Sequence, residues 1–266
     1  MKDKKKHLLI IGGTKGLGLE ILNYYCNTKK FNISVIGMSK KLSKIKNNKL
    51  INYFPLDITN YDLVDSEIDK IIKKNKKITD LIFCQQYRGK EDDWKLQFET
   101  SITATKNIID YINRKNYLEN KSSISIIGSI ASILIASEQP LSYHISKNAL
   151  IQIAKFYSIK FAKKNIIVNV FSPTAILKKE SKKFYKKNKK FFDLMNNTNP
   201  HGRMLESKEI VRTIYLFSSI FLPFITGQNI IIDGGVSLQS HESLSRKISN
   251  SGSLKITQNK KNDFNK

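Results

Sequence analysis

Residues 8–18 read Leu-Leu-Ile-Ile-Gly-Gly-Thr-Lys-Gly-Leu-Gly, an apolar run that passes directly into a glycine-rich segment. The first four residues predict a buried strand, and Leu17–Thr28 has the pattern of a helix. Gly12, Gly16 and Gly18 therefore lie between a strand and a helix, where residues without a Cβ let the backbone approach a ligand and the free N–H groups attract an anion. This context predicts a loop that holds the pyrophosphate of a dinucleotide, with an ordinary glycine turn as the alternative.

The rest of the chain alternates short β-branched runs with helix-length segments. The predicted strands that follow the first are Ile33–Ile36, Leu50–Phe54, Asp80–Cys84, Ser123–Ile127, Ile166–Phe171 and Asn229–Asp233. The predicted helices that follow the first are Tyr61–Lys74, Trp94–Asn116, Ser142–Lys164 and Ser207–Ser219. Continuous apolar strands separated by helices are typical of parallel strands covered on both faces. The pattern predicts an α/β fold with a single Rossmann-type, doubly wound parallel sheet of about seven strands and helices on both faces.

Two segments depart from this alternation. Leu177–Asn199 is strongly basic and carries aromatic residues at spacings that suit a pair of short amphipathic helices, which we interpret as a substrate lid. Residues 240–266 are polar, with few apolar anchors, and predict a flexible C-terminal tail. Residues 1–239 are therefore expected to form one dinucleotide-binding domain.

The chain is strongly basic: among 266 residues, Lys+Arg 46 against Asp+Glu 22 gives a net charge of +24. A mutational bias toward lysine and a selected basic surface both explain this excess, and nucleic-acid binding through charge alone lacks a recognised motif. Cys26 and Cys84 have neither metal-ligand nor disulfide spacing, so we expect no metal site and a reducing, cytoplasmic location. No stretch is long and apolar enough to predict a membrane anchor.

The end of the second predicted strand bears on cofactor choice. NAD enzymes of this fold place an acidic residue there for the ribose 2′-hydroxyl, but residues 37–40 read Gly-Met-Ser-Lys. Lys15 in the glycine loop and Lys40 after the strand suit a 2′-phosphate, so NADP(H) is favoured over NAD(H). The alternative is that both lysines belong to the general excess.

A third pattern is a tyrosine followed four residues later by a lysine, which places both side chains on one face of a helix. The same spacing occurs several times in this lysine-rich chain: Tyr25/Lys29, Tyr111/Lys115, Tyr117/Lys121, Tyr143/Lys147 and Tyr185/Lys189. Only Tyr143 begins a helix after a buried strand that ends in a glycine and Ser129. Because ligands bind at the carboxyl edge of such sheets, Ser129, Tyr143 and Lys147 are expected to share one crevice.

With these motifs in this order, the chain resembles the short-chain dehydrogenase/reductase family, specifically its Tyr-Lys group that includes 3-oxoacyl-carrier-protein reductases. The resemblance runs from about residue 8 to residue 236. Besides the glycine loop and Ser129, Tyr143 and Lys147, it rests on Leu56-Asp57-Ile58-Thr59, Val168-Asn169 and Thr226-Gly227.

The resemblance implies a site and an assembly. Tyr143 would be the general acid or base, Ser129 would orient the substrate oxygen, and Lys147 would lower the pKa of the tyrosine and bind the nicotinamide ribose. The cofactor contacts implied by motif and resemblance together are Gly12, Thr14, Lys15, Gly16, Leu17, Gly18, Ser39, Lys40, Asp57, Ile58, Gln85, Tyr143, Lys147, Pro173 and Ile176. A homodimer or homotetramer is also implied, with the helices Trp94–Asn116 and Ser142–Lys164 pairing across a two-fold axis.

The chain departs from the family's pattern at several places, including Pro173-Thr174 where the family has Pro-Gly and one extra residue between Ser129 and Tyr143. Residues 84–86 read Cys-Gln-Gln where the family has Asn-Ala-Gly, and Ser101 stands where the family has an Asn that holds a water in its proton relay. We expect residues 85–88 to contact cofactor or substrate, because they follow a strand at the ligand-binding edge. His144 and Trp94 are interpreted as packing residues, the latter beneath its helix.

These observations favour an oxidoreductase that transfers hydride between a nicotinamide and a carbonyl or hydroxyl substrate. A small-molecule or carrier-bound anionic substrate suits the basic lid; a carrier-protein thioester and a nucleotide-linked or cell-surface sugar are both compatible with it. The alternative from another class is a non-catalytic dinucleotide-binding protein. Neither nucleic acid nor membrane is an expected partner.

We predict tighter binding of NADPH than of NADH, and replacing Lys40 by Asp should shift the preference toward NADH because a carboxylate repels the 2′-phosphate. Fluorescence titration of both proteins with both cofactors measures this. Tighter binding of NADH by the parent protein would contradict the prediction.

Overall fold

A seven-stranded parallel sheet forms the centre of the chain in the computed structural model, which describes residues 5–39, 48–89 and 92–249. Its strands are β1 (Lys6–Ile11), β2 (Phe31–Gly37), β3 (Ile51–Pro55), β4 (Ile78–Phe83), β5 (Leu118–Ile127), β6 (Ile167–Pro173) and β9 (Asn229–Ile232). Two short strands, β7 (Ile176–Leu177) and β8 (Leu205–Glu206), pair separately beside it. The predicted strands all appear in this sheet, with boundaries that differ by a few residues.

Helices cover both faces of the sheet, as expected. Those of the described residues are α1 (Gly16–Thr28), α2 (Tyr61–Asn75), α3 (Trp94–Phe98), α4 (Ala104–Arg114), α5 (Leu141–Phe161), α6 (Lys182–Lys187), α7 (Lys189–Thr198), α8 (Ser207–Ser219) and α9 (His241–Ile248). One apolar core lies between the sheet and α2, α4 and α5, and a second lies between the sheet and α1 and α8. Strands such as Leu8–Ile11 are buried completely because both of their faces contact a core.

The strand order is β3-β2-β1-β4-β5-β6-β9, and every neighbouring pair is parallel. The chain moves outward in one direction from β1 to β3 and in the other from β4 to β9. The connections after β1 and β4 therefore leave in opposite directions and open a crevice at the carboxyl ends of these two strands. A doubly wound sheet binds its ligands at this point.

The loop before β9 is fastened to β6 by the residues of two family motifs. The Asn169 side chain donates to the Ile225 carbonyl at 2.7 Å and accepts from the Gln228 N–H at 2.9 Å. The Thr226 hydroxyl accepts from the Val168 N–H at 3.0 Å. These bonds fix the last strand against the sheet, so the two motifs have a structural role here.

One predicted helix, Trp94–Asn116, is wrong as a uniform helix. A π-helical turn, Glu99–Thr103, separates α3 from α4. Trp94 is also misplaced by the prediction: it does not pack beneath the helix but is 51% exposed and stacks on Phe98, with ring centroids 4.6 Å apart. The side chains that line the buried face of this turn are polar, which is why apolar periodicity did not reveal it.

The lid segment, residues 177–199, contains the expected pair of short helices, α6 and α7. The predicted flexible tail is wrong in its first part, because His241–Ile248 forms α9. The Ser240 hydroxyl caps that helix, and the Gln239 side chain donates to the Thr198 carbonyl at the end of α7. Residues 250–266 lie outside the described residues. In the described part of the chain, no helix has the length and apolar character needed to cross a membrane.

Candidate active site

The glycine loop between β1 and α1 is packed backbone against backbone. A Cβ on Gly18 would lie 2.3 Å from the Gly12 carbonyl oxygen, and a Cβ on Gly12 would lie 2.6 Å from the Gln85 nitrogen. Gly12 and Gly16 also have φ values of +87° and +53°, which side chains other than glycine's rarely adopt. The loop can take this path only with glycine at these positions.

The N-terminus of α1 is left open toward the crevice. Lys15 at the N-cap makes no side-chain hydrogen bond to the helix, and the first turn contains no acidic residue. The first N–H groups of a helix need partners, and an anion provides them. The tight loop and the uncapped helix together fit the diphosphate of a dinucleotide.

The predicted residues at the adenosine end also come together. The Ser39 hydroxyl donates to the Thr14 hydroxyl at 3.4 Å, and the Tyr53 hydroxyl binds the carbonyls of Gly37 and Ser39. Lys40 lies outside the described residues.

Asp57 and Ile58 follow β3 at the same edge of the sheet. Asp57 is exposed and its carboxylate caps the turn by accepting from the Thr59 N–H and hydroxyl. The Ile58 side chain, in contrast, is part of the core beside α2. Only the main chain of Ile58 is therefore placed to face a ligand.

Ser129, Tyr143 and Lys147 meet in the crevice as predicted. Ser129 follows β5, and the other two lie one turn apart near the start of α5. The Lys147 ammonium is 5.6 Å from the centre of the Tyr143 ring and donates to the Ile127 carbonyl at 2.9 Å. Ser129 accepts from the Ala131 N–H at 3.2 Å, and its own hydroxyl is directed at Tyr143 as a donor.

The titration behaviour of two of these residues is shifted by burial. Burial, with a smaller contribution from the nearby Lys178, lowers the pKa of Lys147 from 10.5 to about 8. Burial raises the pKa of Tyr143, and the hydrogen bond from Ser129 opposes that rise. In the protein alone, burial outweighs the effect of Ser129; that Lys147 and a bound nicotinamide together lower the pKa of this tyrosine stays a prediction.

These three side chains line a cavity of about 320 Å³ that reaches back to the glycine loop. Among the predicted cofactor contacts, Lys15, Leu17, Gly18, Gln85, Pro173 and Ile176 line the same cavity. It also includes residues that were not assigned a separate role, such as Glu138 and Lys178. A second cavity of about 590 Å³, lined mainly by polar side chains, opens beside Tyr143 and includes Gln86, Tyr87 and Arg88.

Sequence reasoning missed a buried hydrogen-bond network at the π-helical turn. The Gln97 amide donates to the hydroxyls of Ser101 and Ser146 at 2.9 and 2.8 Å, and Ser146 donates to the Tyr143 carbonyl. The Ser101 carbonyl accepts from Thr105, whose hydroxyl in turn accepts from the Gln85 amide. Ser101, at the position of the family's Asn, is thus bonded to protein groups on both its hydroxyl and its carbonyl. The Gln at position 85, where the family has Ala, was the available signal.

His144 has a structural role, as expected. Its Nδ1 donates to the Pro140 carbonyl, and its Nε2 accepts from the Ala136 N–H, both at 2.9 Å. The ring therefore fixes the loop that leads into α5, immediately beside Tyr143.

The family model described as enoyl-(acyl carrier protein) reductase matches residues 33–237, more than half of the chain. The chain belongs to the short-chain dehydrogenase/reductase family. It is accordingly an oxidoreductase that uses a nicotinamide dinucleotide and acts between a hydroxyl and a carbonyl group.

Three similar proteins illustrate the range of relatives. A 3-oxoacyl-[acyl-carrier-protein] reductase of Buchnera aphidicola is 28% identical over 89% of this chain and 99% of its own length. A ribulose-forming D-arabinitol 2-dehydrogenase of Scheffersomyces stipitis is 26% identical over 70% of each chain. The structure of ElxO with NADP bound covers 89% of this chain and 100% of its own, with a TM-score of 0.77 and 23% identity, and shows the shared fold.

The buried Lys147 predicts a pH-dependent stability. Because its folded pKa of about 8 lies below the ordinary 10.5, the unfolded chain binds more protons between these values, and stability rises with pH across this window. We therefore compare the free energies of unfolding of the cofactor-free parent and of Lys147→Met. The difference, parent minus variant, should increase by up to about 3 kcal/mol from pH 8 to 10.5.

Urea unfolding at several pH values measures this difference. The exposed Lys164→Met is the control, and its difference from the parent should not change with pH. A flat profile for Lys147→Met would show that Lys147 keeps an ordinary pKa in the folded protein.

Proposed function

We propose that this protein is an NADP(H)-dependent carbonyl reductase or alcohol dehydrogenase in which Tyr143 transfers the proton. The observation that carries the proposal is the shared cavity, in which Ser129, Tyr143 and Lys147 lie at one end and the glycine loop lies at the other. A bound nicotinamide would supply or accept the hydride. The protein's own residues then have to bind the substrate oxygen and move a proton at that atom.

Tyr143 is suited to be the proton donor in reduction. Its raised pKa keeps the phenol protonated at neutral pH, and its hydroxyl faces the cavity beside Ser129. Ser129 accepts from a backbone N–H and can donate to the substrate oxygen, which orients that oxygen toward the phenol. In the oxidation direction Tyr143 would act as its phenolate and accept the proton from the substrate hydroxyl.

Lys147 is assigned two tasks in this proposal. Its ammonium lies beneath the Tyr143 ring and stabilises negative charge that develops on the phenol oxygen. The bond to the Ile127 carbonyl uses one of its three hydrogens, which leaves others to bind the hydroxyls of the nicotinamide ribose.

The preference for NADP(H) rests on charge at the adenosine end. Residues 37–40 contain no acidic side chain, and Lys15 is exposed beside the open helix N-terminus. ElxO, which has the same fold, binds NADP, and this supports the same choice here.

We further propose an anionic carbonyl substrate, carried on a protein or a nucleotide or free in solution. The lid segment supports this because it is rich in lysine and one of these residues, Lys178, lines the crevice, while Phe184 and Phe191 remain half-exposed for an apolar portion of the substrate. The relatives named as 3-oxoacyl-[acyl-carrier-protein] reductases support a carrier-bound substrate, whereas the D-arabinitol 2-dehydrogenase is named for a free, uncharged polyol.

A homo-oligomer completes the proposal. Phe156 and Ile159 on α5 are 62% and 79% exposed, and such side chains are suited to pair across a two-fold axis. Light scattering at micromolar concentration should give a dimer or tetramer, and Phe156→Glu should lower the mass. Leu63→Glu on α2 is the control and should leave the mass unchanged; a monomeric parent would contradict the assignment.

The central test is Tyr143→Phe, which removes one hydroxyl and leaves the ring in place. Turnover should fall by roughly 10²–10⁴, the usual contribution of a positioned general acid, while the affinity for NADPH barely changes. Tyr117→Phe is the matched control, because Tyr117 has the same spacing from Lys121 but lies at the opposite edge of the sheet and bonds Asp69.

NADPH oxidation is followed with ketones, thioesters and nucleotide sugars. Parent-like turnover by Tyr143→Phe would reject the role of Tyr143. A parent that binds NADPH tightly but oxidises it with none of these substrates would instead support the non-catalytic alternative.

A further inference from the structure

Two cations outside the proposed catalytic set face the glycine loop from across the crevice. Arg88 lies in the loop after β4, and Lys178 directly follows β7 at the start of the lid segment. Both side chains line the cavity that contains Lys147 and Gly18. They come from elements on the far side of the crevice from α1.

The Arg88 guanidinium lies over the N-terminus of α1. One of its terminal nitrogens is 3.4 Å from the position that a Cβ on Gly16 would occupy. A side chain at position 16 would therefore meet this guanidinium inside the crevice. The open N–H groups of α1 and the guanidinium face the same small volume.

Lys178 is held in place by a tight turn. Its N–H donates to the Ser181 hydroxyl at 3.0 Å, and its carbonyl accepts from the N–H and the hydroxyl of the same serine. Burial and the neighbouring Arg88 both lower the pKa of Lys178, so the two cations repel one another across the cavity.

Neither cation has a carboxylate partner within ion-pair distance in the described part of the chain. The contrast with the other arginines is informative, because arginine is rare in this lysine-rich chain. Three of the other four arginines, Arg114, Arg203 and Arg246, each pair with a carboxylate, and only the first of these pairs exceeds 3 Å. The fourth, Arg212, is exposed and has no carboxylate within ion-pair distance in the described residues. A guanidinium suits bidentate binding of an oxyanion better than an ammonium does. The Arg88 guanidinium lies next to a helix N-terminus whose first N–H groups have no side-chain cap.

We propose that Arg88 and Lys178 bind the diphosphate of the dinucleotide from the side opposite the glycine loop. The inference rests on the proposed function, since it assumes that the crevice binds a dinucleotide. A diphosphate carries the negative charge that relieves the repulsion between these cations, and its oxygens accept from the guanidinium and from the helix N–H groups together. The position of Arg88 over Gly16 favours the diphosphate over an anionic group of the substrate.

The test separates the parts of the ligand. ADP-ribose contains the diphosphate but no nicotinamide, and 2′-AMP contains the 2′-phosphate but no diphosphate. Calorimetric titration should show that Arg88→Gln and Lys178→Gln each weaken the binding of ADP-ribose by roughly 10-fold or more. The affinity for 2′-AMP should change by less than about 2-fold. Arg88→Lys should recover part of the loss because it keeps the charge.

Arg114→Gln and Lys164→Gln are the matched controls. Arg114 precedes β5 and Lys164 precedes β6, both at the amino edge of the sheet. Their variants therefore report only the effect of lowering the overall charge. Circular dichroism and the unfolding temperature of each variant check that the fold is retained.

Unchanged ADP-ribose binding by both Arg88→Gln and Lys178→Gln would overturn the inference. If the KM for a carbonyl substrate rises in the same variants while ADP-ribose binds as before, the cations serve the substrate instead, and the inference is again wrong. A parent that binds neither NADPH nor ADP-ribose would reject the proposed function itself.

Discussion

The contact between the Gly18 α-carbon and the Gly12 carbonyl is the constraint on which the rest of the site depends. At 2.3 Å from that oxygen, a Cβ would force α1 away from β1 and change the direction of the helix axis. The same loop presses against the Gln85 backbone at the end of β4, so the loop, the helix and the neighbouring strand form one unit. These close backbone contacts fix the direction of α1, so its open N-terminus points into the crevice.

Burial of Lys147 is the second constraint, and it acts against stability. A lysine in the interior loses hydration of its charge, and only the Ile127 carbonyl is bonded to it in the described part of the chain. A neutral side chain of similar length would pack there without this cost. A functional role would explain why a lysine is buried here despite this cost, since buried charges without an opposite charge beside them are typical of functional sites.

Sequence reasoning predicted the sheet because buried parallel strands leave a strong signal: continuous apolar runs such as Leu8–Ile11 have no counterpart in surface helices. It predicted the meeting of Ser129 and Tyr143 because strand ends and helix starts share the carboxyl edge of such a sheet. The π-helical turn was missed for a physical reason. The extra residue is accommodated by bonds from Gln97 and Thr105 to Ser101, and polar side chains that satisfy one another are indistinguishable in sequence from an exposed helix face. Helix α9 was missed because it buries none of its residues, so it has no apolar stripe to predict it.

The net charge of +24 is a property of the whole surface, whereas the proposed site involves only the few cations that line one cavity. Lys147 is influenced by Lys178, and Lys178 is influenced by Arg88, so the three form one coupled electrostatic system in the cavity. Exposed lysines are screened by water and salt, but charges within a cavity are screened much less. An anion bound among these groups would raise the pKa values that burial and mutual repulsion lower, and would keep Lys147 protonated over a wider pH range. Cofactor binding and the charge state of the residue beneath Tyr143 are therefore linked through the same cavity.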